Sequence, residues 1–278
     1  MNFTRIVRNC IPRNLRNWLR HPTRSANYLI GKFRHRVLGS ESVVLAEDWI
    51  VKCHPLSREH FFVFTNDKPQ IRELDLFRHN CPEGIRLLDI GAHHGFFALA
   101  ATRFGGPTAK ILCVEASPSA SSILKTNLSL NSISNQVTVM NVAAGATDGT
   151  LSMLTTGPAA GDYYLVPSET RPDTIEVPQL SLASIIQHSE FSPSHIKIDI
   201  EGFEYELIEA AIPLLRNLKP IIFLELHGDA LRARNLNPSD VVQFLRAAGY
   251  HHFQLEDSDL SLEEMDLHDF NCRMICRP

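Results

Sequence analysis

From residue 85 to the C-terminus, short apolar runs alternate with longer segments whose apolar residues recur every three or four positions. IRLLDI, ILCVE, VTVMNVA, HIKIDI and IIFLEL read as buried strands, and FFALAATRF, SASSILKTNLSL and FEYELIEAAIPLL between them read as helices. Such alternation predicts parallel strands joined by crossover helices, an α/β doubly wound sheet. Residues 149–180 interrupt the pattern with Gly, Pro, Thr and Ser. GTLSML and TIEVPQL within them predict a short hairpin, and the whole insertion is a candidate substrate-facing loop.

Ahead of this unit, residues 41–82 predict a small subdomain or lid. VVLAEDWIV and HFFVFT alternate as strands do, and a helix is expected around residues 71–79, ending before Pro82. In residues 1–40, Ile6, Cys10, Leu15, Trp18 and Leu19 approximate one helical face, and Leu29, Phe33 and Val37 recur every four residues after Thr23. The chain therefore divides into a helical arm (1–40), a small N-terminal subdomain (41–82) and the α/β domain (83–278).

Charge sharpens that division. Nine of the 27 basic residues and none of the 31 acidic ones fall in residues 1–40. A basic amphipathic arm is expected to dock on the acidic body or to make peripheral contact with an anionic membrane. No apolar run approaches the ~20 residues of a bilayer span, no secretory leader is recognisable, and no nucleic-acid partner is expected. The six cysteines lack paired metal spacing, which suits a reducing cytoplasm, and Cys272 and Cys276 read as ordinary strand residues.

The candidate chemistry begins in LLDIGAHHGFFALA, where a strand ending at Asp89 runs through Gly91, Ala92, His93, His94 and Gly95 into a helix. This Gly-x-x-x-Gly spacing differs from the Gly-x-Gly-x-x-Gly that brings a backbone against a pyrophosphate. A phosphate-free nucleoside fits it better. S-adenosylmethionine carries an amino acid tail, so Asp89 is expected to hold its ammonium and the glycine-loop amides its carboxylate. Glu115, ending the next strand before Ala116, is placed to accept both ribose hydroxyls, and Asn141 and Ala143 are expected to flank the adenine.

At this point the chain resembles the FkbM family of S-adenosylmethionine-dependent methyltransferases over residues 71–251, through LLDIGAHHGFF, VEASPSASSILKTNLSLN, VAAGATDGTLSM, VPQLSLASII, IKIDIEGFEYELIEAA and IIFLELHG. The resemblance implies a Rossmann-like seven-stranded sheet of the class I methyltransferase type, its last strand antiparallel, with HFQLE and NCRMICRP completing it. It also implies an acceptor hydroxyl on a sugar, glycan or polyketide-like small molecule. Two departures stand out. His93 and His94 occupy positions where the family often begins with Asn, and Ser181-Leu182-Ala183 replaces a Thr-Leu-Asp block.

Asp199 and Glu201, after the fourth strand, and Glu225 and His227, at the end of the fifth, are expected at the carboxyl edge where such sheets place ligands, four polar groups converging near the methyl donor. His227 is the expected base toward the acceptor, oriented by Glu225 or Asp199. A divalent cation, magnesium by its oxygen-rich ligands, held by Asp199, Glu225 and His227 is the alternative, with no metal as the preferred reading. Lys197 is expected to pair with Glu225 or Glu204. Two rival functions remain in view: an adenosylmethionine-binding subunit without turnover, and an NAD(P)-dependent oxidoreductase whose ribose Glu115 would serve equally well.

Overall fold

The computed structural model describes residues 37, 39–46, 48–154, 174–255 and 271–278. Both helices expected in the basic arm fall almost wholly on residues 1–36, outside the described residues, as does the stretch 155–173 of the insertion.

The chain enters as an antiparallel hairpin of β1 (Glu41–Ala46) and β2 (Trp49–Cys53), followed by α1 (Arg58–Asn66) and α2 (Lys68–His79). The segment HFFVFT, expected as a strand, lies inside α1. Its aromatic composition favours extended chain locally, but helical spacing puts Phe61 and Phe64 one turn apart, with ring centroids 5.5 and 3.6 Å from Phe96. That burial overrides the intrinsic preference. Val43, Trp49, Val51, Phe61 and Phe77 share one buried cluster with Leu87, Ile111 and Phe223, so residues 41–79 cover a face of the central sheet.

The rest follows the expected alternation. β3 (Arg86–Ile90), α3 (Phe96–Gly105), β4 (Lys110–Val114), α4 (Pro118–Leu130) and β5 (Val137–Met140) form the first half. A three-stranded sheet follows, made of β6 (Ala143–Gly145), β7 (Gly149–Leu154) and β8 (Thr174–Ser181). The predicted hairpin is there, β7 pairing antiparallel with β8. The second half is α5 (Leu182–Ser189), β9 (His195–Ile198), α6 (Glu204–Leu218), β10 (Ile221–His227), α7 (Gly228–Ala233), α8 (Pro238–Ala247), β11 (His252–Leu255) and β12 (Asn271–Arg277).

Seven strands pair in the order β11-β12-β10-β9-β3-β4-β5. β12 runs antiparallel to both neighbours, and the pairs from β10 to β5 are parallel. This is the Rossmann-like class I sheet. Chain order reverses between β3 and β9, and a crevice opens there at the carboxyl ends of the strands. Cys272 and Cys276 are free thiols in β12, as strand residues should be.

The two-residue period of a strand decides what that crevice contains. Leu88, Ile90, Ile196, Ile198, Leu224 and Leu226 face one core. The alternate positions, Asp89, Lys197, Glu225 and Arg273, fall on the other face toward the carboxyl end, with Asp89 beside Lys197 and Glu225 beside Arg273 in register. A polar row thus crosses the sheet under α2, within an otherwise apolar layer.

Candidate active site

The βα turn after β3 is shaped by its glycine. Gly91 has φ +84°, and an added Cβ would lie 1.8 Å from the Asp199 carbonyl oxygen, so any side chain would drive the turn off β9. Gly91 and Ala92 donate to the Val114 carbonyl at 2.9 and 3.1 Å, tying the turn to β4. Gly95, at φ +85° before α3, packs against Leu124 and lines neither cavity described below; its role is to turn the chain into the helix.

Glu115 follows β4 directly, 8 % exposed. One of its oxygens accepts from the His93 amide and the other from the Ser117 amide, both at 2.7 Å. These bonds hold the carboxylate in one orientation and leave lone pairs for a diol. Burial pushes its pKa up to about 7 against the pull of the two amides. It lines a cavity of about 350 Å³ with Gly91, His93, Val114, Ala116 and Asp199. Val142, Ala143, Ala144 and Met153 supply an apolar wall suited to a flat base. Asn141 is not in that wall. Its amide donates to the Glu115 and Ala116 carbonyls at 2.7 and 3.1 Å, because the break between β5 and β6 turns it back onto the loop after β4.

Asp89 and Glu115 do not open on a single cavity. Asp89 lines an adjoining space of about 280 Å³, which it shares with Ala92, Lys197, Glu225, Arg273 and Glu73. The two cavities have His60, Gly91, His93, Asp199 and Glu201 in common, so the two acids line neighbouring compartments across the glycine turn. The Asp89 side chain is 1 % exposed, and its Oδ2 has no hydrogen-bond partner. Burial holds its pKa up at about 6 despite Lys197 nearby. An ammonium group is the partner such an oxygen lacks.

Lys197 pairs with Asp199 at 3.1 Å and with Glu73 of α2 at 3.6 Å, in place of the expected Glu225 or Glu204. Burial opposes its charge, yet the carboxylates of Asp199, Glu73, Glu225 and Asp89 outweigh that and keep it protonated. Glu225 is instead met by Arg273 at 2.7 Å, and Arg273 also reaches Glu73 at 3.1 Å. Burial lifts Glu73 to about 7, with Lys197 pulling the other way.

His227 occupies neither cavity wall. Its Nδ1 lies 2.8 Å from Glu204 Oε1, while Nε2 lies 3.6 Å from Glu201 and 3.8 Å from Asp199. The orienting residue is Glu204, fully buried at the start of α6, and not Glu225. Burial works against the imidazolium, but the Glu204 hydrogen bond and the charges of Glu204, Asp199 and Glu201 lift the pKa to about 9. At neutral pH His227 is charged and unable to accept a proton. The set of Asp199, Glu225 and His227 behind the magnesium alternative is not assembled: Asp199, Glu201 and His227 come together, with ligand-type atoms within 4.8 Å of one another.

Of the residues expected to act, the structure brings Gly91, His93, Glu115, Ala116, Ala143 and Asp199 to one cavity and Asp89, Ala92 and Glu225 to its neighbour. The positions brought to the site without having been expected there are Glu73, Glu204 and Arg273. Glu201, expected at the carboxyl edge beside Asp199, sits at φ +55° in the turn facing the crevice. Glu73 and Arg273 carried no signal in the sequence, because only the fold brings α2 and β12 together.

Residues 89–251 match the family described as the methyltransferase FkbM domain. Among solved structures, the chain is similar to a methyltransferase FkbM from Methylobacillus flagellatus, with 13 % identity, TM-score 0.48, 94 % of this chain covered and 60 % of that one. It is also similar to an S-adenosylmethionine-dependent O-methyltransferase from Thermotoga maritima, with 12 % identity, TM-score 0.43 and coverage of 77 % and 69 %. A third similarity is to an Aeropyrum pernix fibrillarin with natively bound S-adenosyl-L-methionine, at 13 % identity, TM-score 0.40 and coverage of 71 % and 68 %. The chain spans 60 % of the length of the Methylobacillus protein. No curated protein matches it. No helix among the described residues is long and apolar enough to cross a membrane.

Proposed function

Because this chain belongs to the FkbM methyltransferase family, we propose that it transfers a methyl group from S-adenosylmethionine to a hydroxyl oxygen of a hydroxyl-rich small molecule or glycan. The observation that carries this reading is the pair of adjoining cavities divided by the glycine turn, one with an apolar wall and a diol-ready carboxylate, the other lined by ionic groups.

The residues fit the cofactor. Glu115 accepts the ribose hydroxyls, the wall of Val142, Ala143 and Met153 packs the adenine, and Asp89 Oδ2 takes the ammonium. When bound, S-adenosylmethionine supplies an electrophilic methyl on a sulfonium. The chain's own part is to position the acceptor and remove its proton.

Asp199 and Glu201 stand in the wall common to both cavities. Glu201 is the base in this account: burial raises its carboxyl above the ordinary range, and it is half exposed toward the crevice. His227 is a positioning residue, an imidazolium that holds Asp199 and Glu201 from behind. Glu225 and Arg273, paired with each other, offer hydrogen bonds to acceptor hydroxyls. A neutral polyol suits a compartment whose cations and carboxylates already satisfy one another, and this supports the sugar, glycan or polyketide-like class.

The test is transfer of labelled methyl groups to a panel of glycans and hydroxylated metabolites. Glu201→Gln should lower kcat roughly 100-fold, as loss of a general base does, with S-adenosylhomocysteine binding retained. A chain that binds S-adenosylhomocysteine but methylates no acceptor would favour the non-catalytic subunit reading.

A further inference from the structure

We propose that the outer face of the β1–β2 hairpin, together with the basic segment that precedes it, is a docking surface for an anionic lipid bilayer. Five large apolar side chains are exposed among the described residues, and four of them, Val37, Val44, Ile50 and Phe62, fall within residues 37–62. Scattered singly such side chains need no explanation, but their concentration in one small unit does. Val44 and Ile50 are cross-strand partners, 59 and 62 % exposed. They stand on the face opposite Val43, Trp49, Val51 and Cys53, which enter the core.

The charge around this pair selects the occupant. Ser42 and Lys52, also cross-strand partners, are exposed two residues away on the same face. Phe62 lies on the neighbouring helix α1 with the Arg58 guanidinium 5.7 Å from its ring centre, and Arg58 is tied to Glu41 at the start of β1 at 3.2 Å. The chain ahead of Val37 carries nine Lys and Arg and no Asp or Glu, whereas the remainder carries 18 basic and 31 acidic residues. The one strongly cationic stretch of the sequence therefore leads directly into the unit with the exposed apolar pair.

A bilayer with anionic headgroups meets both features at once. Cations pair with the headgroups, and apolar side chains enter the boundary beneath them. Each signal alone gives weak, reversible binding, and the two together hold. The rival occupants fit less well. The basic segment folded back on this face would meet Lys52, a like charge, while the acidic body offers it better partners elsewhere. A second copy of this chain, pairing through the same face, would bring a second Lys52 to the contact.

The test is co-sedimentation of the full chain with vesicles of phosphatidylcholine alone and of phosphatidylcholine mixed with phosphatidylserine. Binding to the mixed vesicles only is expected, weakening as salt is raised. The double variant Val44→Thr, Ile50→Thr keeps β-branching and so keeps the hairpin, and it should bind roughly tenfold or more weakly through lost apolar burial. Lys52→Glu should also weaken binding. Without vesicles the double variant should match the natural chain in melting temperature and in S-adenosylhomocysteine affinity. Four results would overturn the proposal: no vesicle binding, equal binding to both compositions, indifference to the double variant, or a dimer in solution that the double variant dissociates. A fall in its melting temperature of more than about 4 °C without vesicles would do so too, since the chain itself would then cover this face. No step here depends on methyl transfer, so either reading can fail while the other stands.

Discussion

Asp89 is a buried acid whose carboxyl is held at about 6, well above its ordinary value, by burial. A carboxylate with a raised folded-state pKa weakens the fold as it ionises, a cost that begins above its ordinary pKa and is complete once the pH passes the folded value. In the proposed reading the charge serves a cationic ligand. Asp89→Asn should therefore raise the melting temperature at pH 8 while weakening S-adenosylhomocysteine binding roughly tenfold or more, a split read by thermal denaturation and calorimetry on the same sample. Loss of both properties together would mean that Asp89 serves only the core. His227 obeys the opposite sign. Its folded pKa of about 9 exceeds the ordinary 6.5, so its contribution is full below pH 6.5 and is lost as pH rises through 9. Urea unfolding should find His227→Gln less stable than the natural chain by on the order of 3 kcal/mol at pH 6, with the gap largely closed at pH 10. A gap independent of pH would show that His227 stays neutral.

At the scale of elements, α4 joins the N-terminal hairpin to the glycine turn through one side chain. Asn127, fully buried, accepts from the His54 amide at 2.7 Å and donates to Ser57 Oγ and the His94 carbonyl, both at 2.8 Å. Asn127→Ala strips three partners at once. Chemical denaturation should register about 2 to 4 kcal/mol of lost stability, whereas a change under about 1 kcal/mol would deny Asn127 this role. The elements from β3 onward were legible because each carries a simple pattern, a short run buried on both faces in β9 and β10 and burial at roughly every third or fourth residue in α6. HFFVFT misled because its strand-like composition is overruled by contacts with Phe96, which lies 32 residues after Phe64. The site divides in the same way. Asp89, Gly91 and Glu115 announce themselves by standing at strand ends, while the pairings of Glu73, Lys197 and Arg273 depend on which strands become neighbours and have no local signature.

For the whole molecule, the main consequence of the strand order is that a polar row and an apolar wall meet at the reversal between β3 and β9. The two compartments, proposed for cofactor and acceptor, are adjacent because both sit at that edge, and Asp199 and Glu201 line each. This arrangement also separates the account from a dinucleotide enzyme, since the turn at Gly91 packs on the Asp199 carbonyl and follows a spacing unlike that of a pyrophosphate cradle. The most direct test is calorimetric titration of S-adenosylhomocysteine and of NADH into the natural chain and into Glu115→Ala. The account predicts that S-adenosylhomocysteine binds, that NADH does not, and that Glu115→Ala weakens the former roughly 10- to 100-fold through loss of charge-assisted hydrogen bonds to the ribose. NADH binding as tightly as S-adenosylhomocysteine, or Glu115→Ala leaving the affinity unchanged, would contradict it.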